Sequence, residues 1–358
     1  MKVVKSFLAV NPVSRLFTSA ITKLIVAILI LIIFVNINSC NGVTEPEIQP
    51  GRRDYVWKVD TIKTNESLSL SRIWGSSAEN VWAVGSSSWT ATTIWRYNGK
   101  YWNFNSTSRR VAPSAIFGFS SDEVWLGNTN STIWKFNGNE WSLFGEYKIE
   151  GYDYFGIEYF NGTSKNNIYG VGGAAKFAST DYIGILMRYD GSKWSFINIP
   201  KVKVGFTGIG IDYKTNTLVL AGIVYDPVWV DKVFTWNGKE LKEIYSGDFV
   251  TVCNIKENVF ITTRTAIYIY FNGKMQLWKD MSNTMFAGNI LAARNEKDIF
   301  TGSRNGIGHY NGSDFVTIFE TGPYISPAII FEKDVFILEW DHKNVKYKNK
   351  IIRGTLKD

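Results

Sequence analysis

Two cysteines and two histidines are all that this 358-residue chain offers for thiol, imidazole or soft-metal chemistry. Cys40 closes an apolar leader, so Cys253 stands alone in the rest of the chain and no disulfide can form there. Cys253 lies in the apolar run 250–255, where it is expected to pack as a small buried group. His309 and His342 cannot assemble a His/Cys zinc site. A Ser-His-Asp triad would have to use one of them, and no nucleophile-elbow sequence is present. A glycosidase needs only two carboxylates. Most acids recur at one kind of turn, however: Glu79, Asp122, Glu123, Glu257, Asp298 and Asp334. Asp and Asn at repeated turns satisfy local backbone donors, so a structural role is expected for them. Asp181, Asp226, Asp231 and Asp341 fall off the repeat and are the better candidates for specific work. No metal, cofactor or catalytic residue is expected.

The elements that position these residues are short strands. Residues 115–144, AIFGFSSDEVWLGNTNSTIWKFNGNEWSLF, contain four apolar runs separated by turn residues. They read as a four-stranded antiparallel meander, with Asn137-Gly138 expected to form a type I′ hairpin turn. So small a sheet is marginal alone. Its second strand recurs around Val81-Trp82, Val124-Trp125, Ile168-Tyr169, Leu218-Val219, Val259-Phe260, Ile299-Phe300 and Val335-Phe336, spaced roughly 36 to 50 residues apart as in propeller blades. The third-to-fourth-strand turn recurs in phase at Asn98-Gly99, Asn137-Gly138, Asp190-Gly191, Asn237-Gly238, Asn272-Gly273 and Asn311-Gly312. The last unit has only three strands, and an orphan, 55–59, precedes the first. The expected fold is all-β: a seven-bladed β-propeller of four-stranded antiparallel blades over residues 55–358, closed by the N-terminal strand pairing with the C-terminal blade.

Residues 1–39 read as a signal peptide. Lys2, Lys5, Arg15 and Lys23 precede an apolar run of twelve, 24–35, too short for a comfortable bilayer span. The run ends in Ser39-Cys40, which resembles a bacterial lipoprotein lipobox, with the polar Asn38 as a departure. Lipidation of Cys40 would anchor the chain to a membrane, and residues 40–54 read as the lipidated Cys and a flexible tether. The leader holds four of the 39 basic residues, leaving 35 against 32 acids. No basic stripe with interleaved aromatics marks a nucleic-acid groove.

The units IWGSS…ENVWAVG…IWRYNG…W, beginning at Ile73 and ending at Trp102, resemble exported bacterial, Bacteroidetes-type β-propeller-repeat lipoproteins with "DVWAVG…RYDG…W" units. The resemblance covers roughly residues 55–356 and implies the fold, export and an outer-membrane lipid anchor, but no catalytic residue. Sialidase-type Asp-boxes are absent.

Aromatics in the variable second-to-third-strand loops are not needed for blade packing. Trp89, Phe177, Tyr182, Tyr225, Trp229 and Trp340 gather on one rim, joined by Tyr147, Tyr152 and Tyr154 in an inter-blade connection. Trp and Tyr suit both protein hot spots and sugar stacking. Two functions follow as expectations: a monomeric, non-enzymatic cell-envelope lipoprotein binding a protein or glycan through that rim, or a carbohydrate-active enzyme using carboxylates at the channel mouth.

Overall fold

A computed structural model describes residues 48–358 apart from 66, 88–92, 108–110, 226, 323–324 and 340–347. Cys40, Trp89, Asp226, Trp340, Asp341 and His342 therefore lie outside the described residues. The chain forms seven four-stranded antiparallel sheets and no helix among the described residues. Blades 1 to 6 take residues 68–105, 113–146, 154–196, 205–247, 250–280 and 286–320. Blade 7 holds Ile325–Ile330, Asp334–Glu339 and Lys348–Leu356, and its outermost strand is the N-terminal Tyr55–Lys63. That strand pairs from Tyr55↔Leu356 to Lys63↔Lys348, closing the ring as expected. Inner strands of neighbouring blades touch all the way round.

The repeated aromatics meet across blade boundaries. Trp82, in the second strand of blade 1, packs on Phe136 and Trp141 of blade 2, with ring centroids 5.0 and 5.3 Å away. Trp125 of blade 2 packs likewise on Tyr189 and Trp194 of blade 3, and Phe336 of blade 7 meets Tyr97 of blade 1. Each apolar layer therefore belongs to two blades, so a lone blade cannot bury its own aromatics.

The turn acids and amides have a longer reach than local backbone. Arg96 Nε donates to Asn80 Oδ1 at 2.7 Å, Lys135 Nζ to Glu123 Oε1 at 3.0 Å, Arg188 Nε to Asn167 Oδ1 at 2.7 Å and Arg353 Nη2 to Asp334 Oδ1 at 3.0 Å. Each cation also lies over the second-strand ring opposite it: Trp82, Trp125, Tyr169 and Phe336. His309 takes this position in blade 6, edge-on to Phe300 with Nε2 2.8 Å from Asp298 Oδ1. The acid, the ring and the base of the repeat are one packed unit, and His309 is part of it.

Two local details differ from expectation or explain the motif. In blades 1 to 4 and 6 only the Gly of the Asn/Asp-Gly pair has positive φ. The loop there has four residues, as in Tyr97↔Trp102, with Asn98 Oδ1 accepting the Lys100 and Tyr101 N–H groups. The expected type I′ turn occurs only at Asn272-Gly273, where both φ are positive and Phe271 pairs with Lys274. The aromatic three residues after the Gly stands opposite the third-strand aromatic in blades 1 to 3 and 6, and Leu241 holds that place opposite Trp236 in blade 4. The Gly ending the second-strand motif faces an inner-strand bulge: a Cβ on Gly85 would lie 1.9 Å from Ser69 O.

The described chain is held to the ring before its first strand begins. Gly51 N donates to Lys297 O, and Arg53 donates to the His309 and Asp314 carbonyls and to Asp314 Oδ1. Of the segment read as a tether, residues 51–54 thus lie against blade 6, on the face that carries the Asn-Gly turns.

Candidate binding face: the aromatic rim and the channel mouth

The second-to-third-strand loops emerge on the opposite face. Register puts Tyr154 beside Ala175 and Ala175 beside Tyr182 at the rim end of blade 3, and Gly205 beside Ile223 at that of blade 4. Four of the expected rim residues fall here, in two groups. Tyr182, Tyr225 and Trp229 form one cluster: the first two rings are 5.5 Å apart, the last two 5.9 Å and edge to face. The Tyr225 N–H donates to the Tyr182 hydroxyl at 2.7 Å, tying the blade 4 loop to blade 3. Phe177 stacks on Tyr154 with centroids 5.0 Å apart, and its N–H donates to Asp153 Oδ2 at 2.7 Å.

Exposure separates surface rings from packing rings. Trp229 is 74 % exposed, Phe177 71 %, Tyr225 43 % and the neighbouring Val228 65 %. Tyr147 and Tyr152 instead turn back onto the core between blades 2 and 3 and do not extend the face. Lysines frame it. Lys176 and Lys201 lie over the Tyr152 ring, and Lys203 over Tyr182, at 5.6, 5.9 and 5.6 Å. The Lys201/Lys203 alternation in the extended link between blades 3 and 4, with Val204 buried, was a period-2 signal in the sequence.

The off-repeat acids do structural work here. Asp181 pairs with Lys176 at 2.8 Å. Burial pushes the Asp231 carboxyl above its usual range, while a hydrogen bond from the Phe249 backbone opposes the shift. The Asp248 carboxylate lies within electrostatic range of Asp231 and adds to the rise.

The face continues inward to the channel. Tyr225 lies over Gly205 at the start of the blade 4 inner strand: a Cβ there would be 3.1 Å from its Cε2 and 3.3 Å from its hydroxyl oxygen. Bulges interrupt the rim half of the inner strands at Ser71, Ser114, Glu158 and Thr207, and such bulges re-aim side chains. Arg72, beside the first of them, spans from blade 1 to blade 3. Its Nε and Nη2 donate to Glu158 O at 3.3 and 3.2 Å, and Nη2 to Glu158 Oε2 at 3.3 Å. Burial raises the Glu158 carboxyl pKa against the opposing pull of Arg72. Sequence reasoning missed this pair, because only the folded ring brings blades 1 and 3 together.

Cys253 is half-buried in the inner strand of blade 5, not fully buried as expected. Burial still pushes its thiol up to about 12.

No protein-family profile matches the sequence, and neither does any curated protein. Solved structures do resemble the fold. YCF48 bound to D1 peptide superposes with a TM-score of 0.57 at 10% identity, covering 88% of this chain and 100% of that one. The WD40 β-propeller domain of Doa1 gives 0.58 at 8% identity, covering 85% and 98%. The extracellular domain of the one-component system BT4673 from B. thetaiotaomicron gives 0.54 at 13% identity, covering 82% of this chain and 39% of that one. At such identities the likeness is one of fold, and the chain is a seven-bladed β-propeller.

Proposed function

We propose that this propeller is a non-enzymatic binding module whose rim over blades 3 and 4 grips a protein or glycan partner. In this reading the chain is a lipoprotein of the bacterial cell envelope, anchored through Cys40. One observation carries the binding role: Tyr182 and Tyr225 meet across the blade 3–4 boundary at the surface, and Tyr225 leads on to Trp229, which is 74 % exposed. A contiguous exposed aromatic patch of that kind marks an interaction site. A solved propeller of similar fold has been captured with a peptide bound, which supports a partner-binding use of the architecture.

The carbohydrate-cleaving alternative needs two carboxylates facing each other within about 10 Å. The described inner strands carry Glu158 and Asp212. Asp212 is bonded into its own turn, by Lys214 N and the Thr215 hydroxyl. Binding without turnover fits this inventory better.

The test uses the full chain in a non-sugar detergent, wild type and Tyr225→Ala/Trp229→Ala, against a glycan array and an envelope-extract pull-down. A partner held by wild type and lost by the folded double variant is the expected result. Equal capture by both, or glycan turnover, would sink the reading. Metabolic acylation lost in Cys40→Ser tests the anchor.

A further inference from the structure

We infer that the rim and the channel mouth form one site for a neutral oligosaccharide, with a sugar ring against Trp229 and Tyr225 and its hydroxyls on the Arg72–Glu158 pair. The inference rests on the rim-binding reading and names its ligand class.

Three features select a polyol. The first is charge. Glu158 and Arg72 neutralise each other through Oε2, so the pair demands no net charge of its ligand. Among the described residues, Glu158 Oε1 receives no hydrogen bond. A half-exposed carboxylate oxygen beside a guanidinium offers adjacent acceptor and donor groups, the complement of neighbouring sugar hydroxyls.

The second feature is the wall. Trp229 stands edge to face with Tyr225, leaving exposed ring surface for the C–H face of a sugar. Tyr225 links this wall to the pair. Burial raises its phenol pKa, and the Glu158 carboxylate adds to the rise, so the two groups lie within electrostatic range.

The third feature is close glycine packing between them. Gly156 pairs with Gly173. A Cβ on Gly156 would lie 3.5 Å from Glu158 Oε1, one on Gly173 would lie 3.5 Å from Gly205 Cα, and one on Gly205 would lie 3.1 Å from Tyr225 Cε2. Gly205 is buried beneath Tyr225, and a Cβ on Gly156 would also meet Thr129 Cα at 3.4 Å, so these glycines let neighbouring blades pack closely and bring Tyr225 toward the pair. An extended peptide would instead seek an open strand edge, and the inner and second strands here are already paired on both sides or face the lumen.

The experiment measures Kd by calorimetry for full-length protein in a non-sugar detergent. The probes are cellohexaose, laminarihexaose and mannohexaose, a galacturonate hexamer, and a random dodecapeptide pool. At least one neutral hexasaccharide is expected to bind, about tenfold more weakly to Glu158→Gln, since charge-assisted hydrogen bonds to its hydroxyls are lost. Gly173→Ala serves as the second variant, because its Cβ meets nothing closer than 3.5 Å and the fold accommodates it. It is expected to weaken the same sugar severalfold by moving Gly205, and Tyr225 above it, away from the pair. Sugar binding abolished by Trp229→Ala but unchanged in both other variants would overturn the channel-mouth half. Binding of only peptide or galacturonate would overturn the ligand class while leaving the rim reading intact. No binding of any probe by wild type would overturn the inference, and capture of an envelope partner by the rim would then still decide the binding role separately.

Discussion

Replacing Asn349 by Ala should cost the ring more than truncating an exposed turn amide. Asn349 is buried in blade 7, and its amide bridges to the inner strand of blade 1. Its Oδ1 accepts the Leu70 N–H at 2.9 Å, and its Nδ2 donates to the Leu68 carbonyl at 3.0 Å. The side chain thus mimics a pair of ladder bonds across the seam where the ring closes. Truncation leaves a backbone donor and a backbone acceptor without their partner, at about 1–3 kcal/mol each. The freed rotamers of the side chain return less than about 1 kcal/mol. The expected loss is about 1–6 kcal/mol. Urea unfolding followed by tryptophan fluorescence would report it as a lowered midpoint at unchanged slope. Asn137→Ala is the control. That amide also holds two backbone N–H groups, of Asn139 and Glu140, but in an exposed turn where water replaces it. A seam variant no less stable than the turn variant would refute the reasoning.

Two further outcomes follow from titrating groups. With its thiol pushed up to about 12, Cys253 in a Cys40→Ser background should hold only about one part in ten thousand as thiolate at pH 8. Iodoacetamide should label it slowly in the native protein and readily after unfolding, and equal rates would contradict the assignment. Burial raises the Asp298 carboxyl, but the His309 hydrogen bond and Arg294 outweigh that and leave its pKa below the ordinary value. A depressed carboxylate contributes stability above the unfolded-state pKa, and that contribution is lost as pH falls through the folded one. Denaturation midpoints should therefore drop below about pH 4 in wild type, and less steeply in Asp298→Asn. Parallel profiles would count against it.

What the sequence revealed follows from how local each signal is. Blade number, strand order and ring closure were legible because the second-strand motif and the Gly turn recur in phase within single blades. The partners of those motifs were not. Trp82 meets Phe136 and Trp141 a full blade away, and nothing in a one-dimensional spacing says which face of a twisted sheet meets its neighbour. Asp298 and His309 lie 11 residues apart yet form one contact, because a hairpin folds them together. At the rim, Phe177, Tyr182, Tyr225 and Trp229 could be placed by loop position alone. Their division into two groups depends on side-chain direction, as does the inward turn of Tyr147 and Tyr152. Arg72 and Glu158 gave no signal, since their distance depends on ring geometry.

The entry of the chain has a mechanical consequence. Residues 51–54 meet the ring on the face of the Asn-Gly turns, and the aromatic rim lies on the other. The closing strand runs between these faces, paired along nine residues with Lys348–Leu356. A force pulling the N-terminal segment away from something held at the rim acts along that strand. It loads all the ladder bonds together in shear, whereas a pull across the sheet would peel them one at a time. Arg53 on His309 and Asp314 and Gly51 on Lys297 take the first share of that load. The last blade, assembled from both ends of the propeller, is thereby built to resist tension between the two faces.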